Sequence, residues 1–135
     1  MKICVSAVAN SLDAQLDPRF GRCPYFVIVD SESMQFEAIP NLSSAAMGGA
    51  GIQAAQTIAS RGVKLLITGN VGPNAFQALS AAGIKIVTGA FGTVRDVVEK
   101  YKRGELRETG SPTVSGHFGM GMGRGRGSGR QRWGT

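Results

Sequence analysis

Residues 20–26, Phe20-Gly21-Arg22-Cys23-Pro24-Tyr25-Phe26, set a guanidinium and a thiol side by side on a loop that runs straight into the apolar strand Val27-Ile28-Val29. A loop held by a rigid strand is how a scaffold presents a binding site. The chemistry on offer is recognition of something anionic. Arg19 and Arg22 bring charge, while Gly48-Gly49-Ala50-Gly51 and Gly69-Asn70-Val71-Gly72-Pro73-Asn74 bring glycines that let a ligand approach backbone amides. Neither stretch is a Walker loop or a G-x-G-x-x-G fingerprint, so a nucleotide signature is missing.

Cys23 reads in two ways. As a thiolate it would ligate iron or copper, with Arg22 beside it lowering its pKa. As a small hydrophobe at the start of a strand it would simply pack. Cys4, inside an apolar run, reads as core. If the first two strands form an antiparallel hairpin, Cys23 lies near Ala7, about 10 Å along the ladder from Cys4 at roughly 3.4 Å per residue. A disulfide needs Cα atoms within about 7 Å, so reduced thiols in a cytoplasmic protein are expected. His117, the single histidine, forms H-x-x-M-x-M with Met120 and Met122, a soft ligand set that could close over a metal cluster. Asp13, Asp17 and Asp30 read as solvated loop acids. Two-metal hydrolysis needs carboxylates gathered around ions about 4 Å apart, and Asp30 lies at the far end of its strand from the other two.

The elements that must position these groups follow from periodicity. Ile3 to Val8 is a short β-branched run without polar alternation, as in a strand buried on both faces. Tyr25 to Asp30 is a second strand, and Gln35 to Ile39 alternates like an edge strand. After Met47 the period changes. Ile52, Ala55, Ile58 and Ala59 share one helical face that Gly62 ends. Lys64 to Thr68 is a buried strand, Ala75, Phe76, Leu79 and Ala82 mark a second helix closed by Gly83, and Ile84 to Val87 is another strand. Val94, Val97, Val98 and Tyr101 mark a third helix, with charge outward. Strands first, then alternating helix and strand, imply a mixed sheet flanked by helices.

The chain has 135 residues, enough for one compact domain and a tail. Its net charge of +6 is uneven. Up to Thr109 eleven Lys and Arg face nine Asp and Glu, whereas Arg124, Arg126, Arg130 and Arg132 stand in a stretch without acids. The domain is therefore assigned to 1–109. The Gly-, Arg- and Met-rich segment 110–135 is expected to be disordered, since it cannot bury enough apolar surface to offset its ordering entropy. No run is long enough to span a membrane and no signal peptide is apparent.

Met1-Lys2-Ile3 opening a strand, the 20–26 motif, Gly-Gly-Ala-Gly at 48–51 and Gly-Pro-Asn-Ala at 72–75 together resemble the dinitrogenase iron-molybdenum cofactor biosynthesis family, over Met1 to Leu106. The resemblance implies a ribonuclease H-like three-layer α/β/α fold with a five-stranded mixed sheet, and a role in carrying metal-sulfur clusters. In that topology the start of the second strand, the carboxyl ends of the first and fourth strands and two helix amino termini meet at one sheet edge, where open α/β sheets bind ligands. Unpaired N–H groups and the macrodipole favour anions there. The site expected at this edge comprises Arg19, Phe20, Gly21, Arg22, Gly48, Gly49, Gly51, Asn70, Gly72 and Asn74, with Cys23 and His117 as metal ligands. A purely structural use of the glycines, in a tight turn and close helix packing, stays open. The expected function is non-enzymatic carriage of an iron-sulfur or iron-molybdenum type cluster, with a cluster-assembly or acceptor protein as partner. Two alternatives remain: nucleic-acid binding through the Arg-Gly tail, where Trp133 offers one stacking group, or an enzyme acting on a small phosphorylated substrate.

Overall fold

The computed structural model of the chain describes residues 1–43 and 49–113. The bulk of the segment 110–135, with its expected disorder, lies outside the described residues. Five strands, β1 Lys2–Ala7, β2 Tyr25–Asp30, β3 Phe36–Pro40, β4 Leu65–Ile67 and β5 Lys85–Val87, form one sheet in the order β3-β2-β1-β4-β5. β1 and β2, like β2 and β3, pair antiparallel, while β4 lies parallel to β1 and β5 parallel to β4, so the sheet is mixed. The helices are α1 Ala50–Ala59, α2 Pro73–Ala81 and α3 Val94–Lys102.

Alternation along each central strand sorts its side chains between two cores. Cys4, Phe26, Ile28, Leu66 and Ile86 face one side, where they pack with Ala54, Ala55 and Ile58 of α1 and Leu79 of α2. Ile3, Val5, Val27, Val29, Leu65 and Ile67 face the other, against Val94, Val97 and Val98 of α3. Apolar residues fill both faces of β1, β2 and β4, which is why those strands read as unbroken apolar runs.

Two side chains expected in the core are not there. Ala82 is exposed because α2 ends at Ala81 and the chain turns away through Gly83, whose φ is +79°. Ile52 is only half-buried, and Ala54 takes its place in the core. After α3 the chain returns across β5. Thr109 N–H donates to the Ile86 carbonyl at 2.6 Å, and the Thr109 hydroxyl accepts from Thr88 N–H at 3.1 Å. Thr113 reaches Val71.

The register pairs Cys4 with Ile28 and Ala7 with Tyr25. Both cysteines are buried and free. Among the described residues no helix is long and apolar enough to cross a membrane.

Candidate functional site

The parallel pairing of β1 with β4 and the antiparallel pairing of β1 with β2 bring the carboxyl ends of β1 and β4 to the same edge as the start of β2. Both α1 and α2 begin there. A groove of about 220 Å³ opens between their starts, lined by Phe20, Gly49, Gly51, Ile52, Gly72, Pro73, Asn74 and Ala75. Five of the expected site residues thus meet in one place: Phe20, Gly49, Gly51, Gly72 and Asn74. Gly48 and His117 lie outside the described residues, as do Met120 and Met122.

The groove is a place where two helix amino termini are left bare. Gly49 and Gly72 occupy the cap positions of α1 and α2, neither helix has a side-chain cap, and neither has an acid in its first turn. The first backbone bonds run from Gln53 N–H to the Gly49 carbonyl and from Phe76 N–H to the Gly72 carbonyl. The amides of Ala50, Gly51, Ile52, Asn74 and Ala75 therefore have no partner within their helices. By contrast α3 is closed by a capping box: Asp96 N–H donates to Thr93 Oγ1 at 3.1 Å and Thr93 N–H to Asp96 Oδ2 at 3.2 Å. The dipoles of α1 and α2 consequently present positive potential to the groove.

Close backbone approach sets its shape. A Cβ on Gly51 would stand 2.8 Å from Ala75 Cβ, so glycine is what allows α1 and α2 to touch. Gly21, at φ +97°, lies over this crossing, and a Cβ there would come within 3.1 Å of Gly51 Cα. The packing role and the site role of Gly51 are one arrangement. Phe20 forms a wall, its ring braced by Phe26 with centroids 5.7 Å apart.

The remaining expected residues support the edge from outside the groove. Arg19 pairs with Asn70 in a parallel bridge, Asn70 N–H donates to the Pro18 carbonyl at 2.8 Å, and Pro18 fills the space a Gly69 side chain would need. Arg22 is exposed and is not among the residues lining the groove.

Three assignments change on this geometry. Asp17 is not a solvated acid: its side chain is buried, and it accepts from Arg19 Nε at 3.0 Å, Arg19 Nη2 at 2.8 Å and Arg19 N–H at 2.9 Å. The hydrogen bond from Arg19 holds its carboxyl below the usual range against the opposing effect of burial. Arg19, two-thirds exposed, spends part of its fork on Asp17 and is a framework cation as much as a ligand-facing one. Cys23 has no lowered pKa. Burial first, then the charge of Asp17, pushes its thiol up to about 12, and it packs in the core beneath α1 and α2.

Sequence reasoning passed over Asn41 and the pair Ser6 and Thr68. Asn41 Nδ2 donates to the carbonyls of Gly21 (3.0 Å) and Cys23 (2.9 Å), fixing the turn that carries Arg22. Its one legible signal is the Asx turn that Asn41 makes with Ser43 N–H. The buried Ser6 hydroxyl joins the Asp17 carbonyl at 2.6 Å and the Thr68 hydroxyl at 2.7 Å, tying the ends of β1 and β4 to the Asp17 loop. Nothing local announces that contact. Among the described residues no three of His, Cys, Asp and Glu come together as a metal-binding set.

The sequence model of the dinitrogenase iron-molybdenum cofactor family matches residues 1–104, which includes every described residue that lines the groove. The chain belongs to this family. The chain is similar to the orange protein of Desulfovibrio gigas, solved in its apo form, at 44% identity with a TM-score of 0.81, over 83% of this chain and 95% of that one. A Thermotoga protein of the DUF35 family is similar at 35% identity with a TM-score of 0.71, over 83% and 97%. An uncharacterized protein of Methanocaldococcus jannaschii is 30% identical over 112 residues, covering 80% of this chain and 95% of its own length. Membership carries the theme of metallocluster biosynthesis or binding.

Proposed function

We propose that the protein is a non-enzymatic carrier for an anionic metal-sulfur cluster of iron-sulfur or iron-molybdenum type, held as cargo in the groove between the starts of α1 and α2. The observation that carries this reading is the pair of uncapped helix termini opening into one groove, in a chain of the iron-molybdenum cofactor family. Five backbone amides without helical partners offer dispersed hydrogen bonds to an anion. Phe20, Ile52, Pro73 and Ala75 offer the apolar, polarisable walls that suit sulfide better than a strongly hydrated oxyanion. The donor set fits a preformed cluster better than a bare ion, because thiolate and imidazole ligands do not gather here among the described residues. Arg19 and Arg22, on the adjoining loop, add longer-range attraction. A shallow, open groove suits loading and release, so the natural partners are a protein that assembles the cluster and one that accepts it, in the cytoplasm.

Anaerobic reconstitution with iron and sulfide, with and without molybdate, tests the proposal. After desalting, the protein should retain metal and sulfide in fixed ratio and show a visible charge-transfer spectrum. Full-length protein that retains no metal under any of these conditions refutes it.

A further inference from the structure

We infer that Thr113 is a positioning residue for the groove, holding Val71, and through it the start of α2, so that the Asn74 and Ala75 amides point at the cargo. The inference rests on the reading of the groove given above.

Val71 is buried and immediately precedes Gly72, the bare cap of α2. Thr113 engages both of its backbone groups. Val71 N–H donates to Thr113 Oγ1 at 2.8 Å, and the Val71 carbonyl accepts from Thr113 N–H at 2.9 Å and from its hydroxyl at 3.3 Å. Fixing both groups fixes the peptide planes that lead into α2. On its other side the same loop is held by Asn70 N–H donating to the Pro18 carbonyl at 2.8 Å, so the stretch 70–71 is clamped from two directions. The clamp is itself anchored, because Thr109 bonds to Thr88 and Ile86 before the chain reaches Thr113.

Two features mark this contact as orientation and not core. Thr113 is exposed, so its loss would let water reach the Val71 groups, and the change would fall on where α2 begins and not on hydrophobic burial. Thr113 also stands beyond residues 1–104, the part matched by the family. A residue outside that region therefore completes the support of a groove built wholly from residues within it.

The test compares full-length protein with Thr113→Val and Thr113→Ser. Amide hydrogen exchange at Val71, followed by NMR without cargo, reads the clamp. Iron retained after anaerobic reconstitution with iron and sulfide reads the groove. Thr113→Val should speed exchange at Val71 by about tenfold or more and lower retained iron several-fold, with cooperative melting retained at a slightly lower Tm, and Thr113→Ser should keep exchange and iron near the wild-type values. Unchanged exchange in Thr113→Val overturns the inference whatever the metal content. Faster exchange with unchanged iron overturns it as well, since the clamp would then have no bearing on cargo. Wild-type protein that retains no iron refutes the reading of the groove, and exchange at Val71 still decides whether Thr113 holds the start of α2.

Discussion

Gly72 is where stability and cargo binding should part company. Its backbone, at φ −82° and ψ 173°, already has the extended conformation of an ordinary helix cap. Nothing in that dihedral pair calls for glycine. Gly72→Asp would supply the missing side-chain acceptor at α2, and three gains follow. A better cap contributes a few tenths of a kcal/mol over glycine, removal of glycine freedom from the unfolded chain about 0.4–1 kcal/mol, and a carboxylate at the positive end of the dipole about 0.3–1 kcal/mol. Together these come to about 1–2 kcal/mol, or a rise in Tm of roughly 4–8 °C for a domain of this size. The same carboxylate would occupy the amides proposed to hold the cargo and stand about 5 Å from its charge. At an effective dielectric of about 20 this costs roughly 3 kcal/mol per unit charge, about a hundredfold in affinity. Gly72→Ser separates the two effects, since it caps without charge and should raise Tm less while weakening cargo binding by under about tenfold. Calorimetry and retained metal after anaerobic iron and sulfide reconstitution measure both quantities. If Gly72→Asp is more stable yet loads metal like the wild type, the amides at the start of α2 are not the cargo site.

Gly51→Ala should destabilise the domain by about 1–3 kcal/mol through overpacking against Ala75, and adding Ala75→Gly should recover most of the loss in urea titrations. Asp17 should govern part of the acid limb: its folded pKa is lowered, so its contribution is present above the ordinary carboxylate range and lost as pH falls through the folded value. Asp17→Asn should therefore lower Tm at pH 7 and flatten its decline in acid. Both thiols should resist iodoacetamide at about pH 8 in the native state, because burial raises Cys4 well above the ordinary range and Cys23 to about 12; mass spectrometry should show labelling only after denaturation. Cys23→Ser should cost about 1–3 kcal/mol of stability through its buried hydroxyl, and cargo loading measured well below the variant's Tm should change little, whereas a ligand role would abolish it.

The strands and the meeting of motifs were legible because they rest on local or topological rules. Tyr25–Asp30 is an apolar run bounded by Pro24 and a turn-forming acid, and the convergence at one edge follows once β1 and β4 are parallel and β2 runs against them. The inner supports were not legible, because each is a long-range contact between groups that look ordinary in sequence. Asp17 sits beside Pro18 in a polar stretch and reads as solvated. Its backbone carbonyl is held by the Ser6 hydroxyl, which also meets Thr68, 62 residues away in sequence and adjacent only in the folded sheet. Arg22 carries the obvious charge of its motif, yet the groove is lined by Phe20. The positive φ of Gly21 and the hold of Asn41 on the turn decide which residue faces inward, and neither can be read from residue type.

At the crossing of Gly21, Gly51 and Ala75, three segments meet almost backbone to backbone, with a single methyl between them. Such a junction has few rotamers to freeze. A groove lined by glycines, a proline, an alanine and few longer side chains surrenders little conformational entropy when it fills, whereas one lined by long flexible side chains must immobilise each of them at about 0.5–1.5 kcal/mol. Occupied and empty forms should therefore have nearly the same shape, cargo should exchange without a refolding step, and affinity should be set by departure rate more than by arrival. In the carrier role proposed above, that stiffness would make handover between proteins a matter of relative affinity alone.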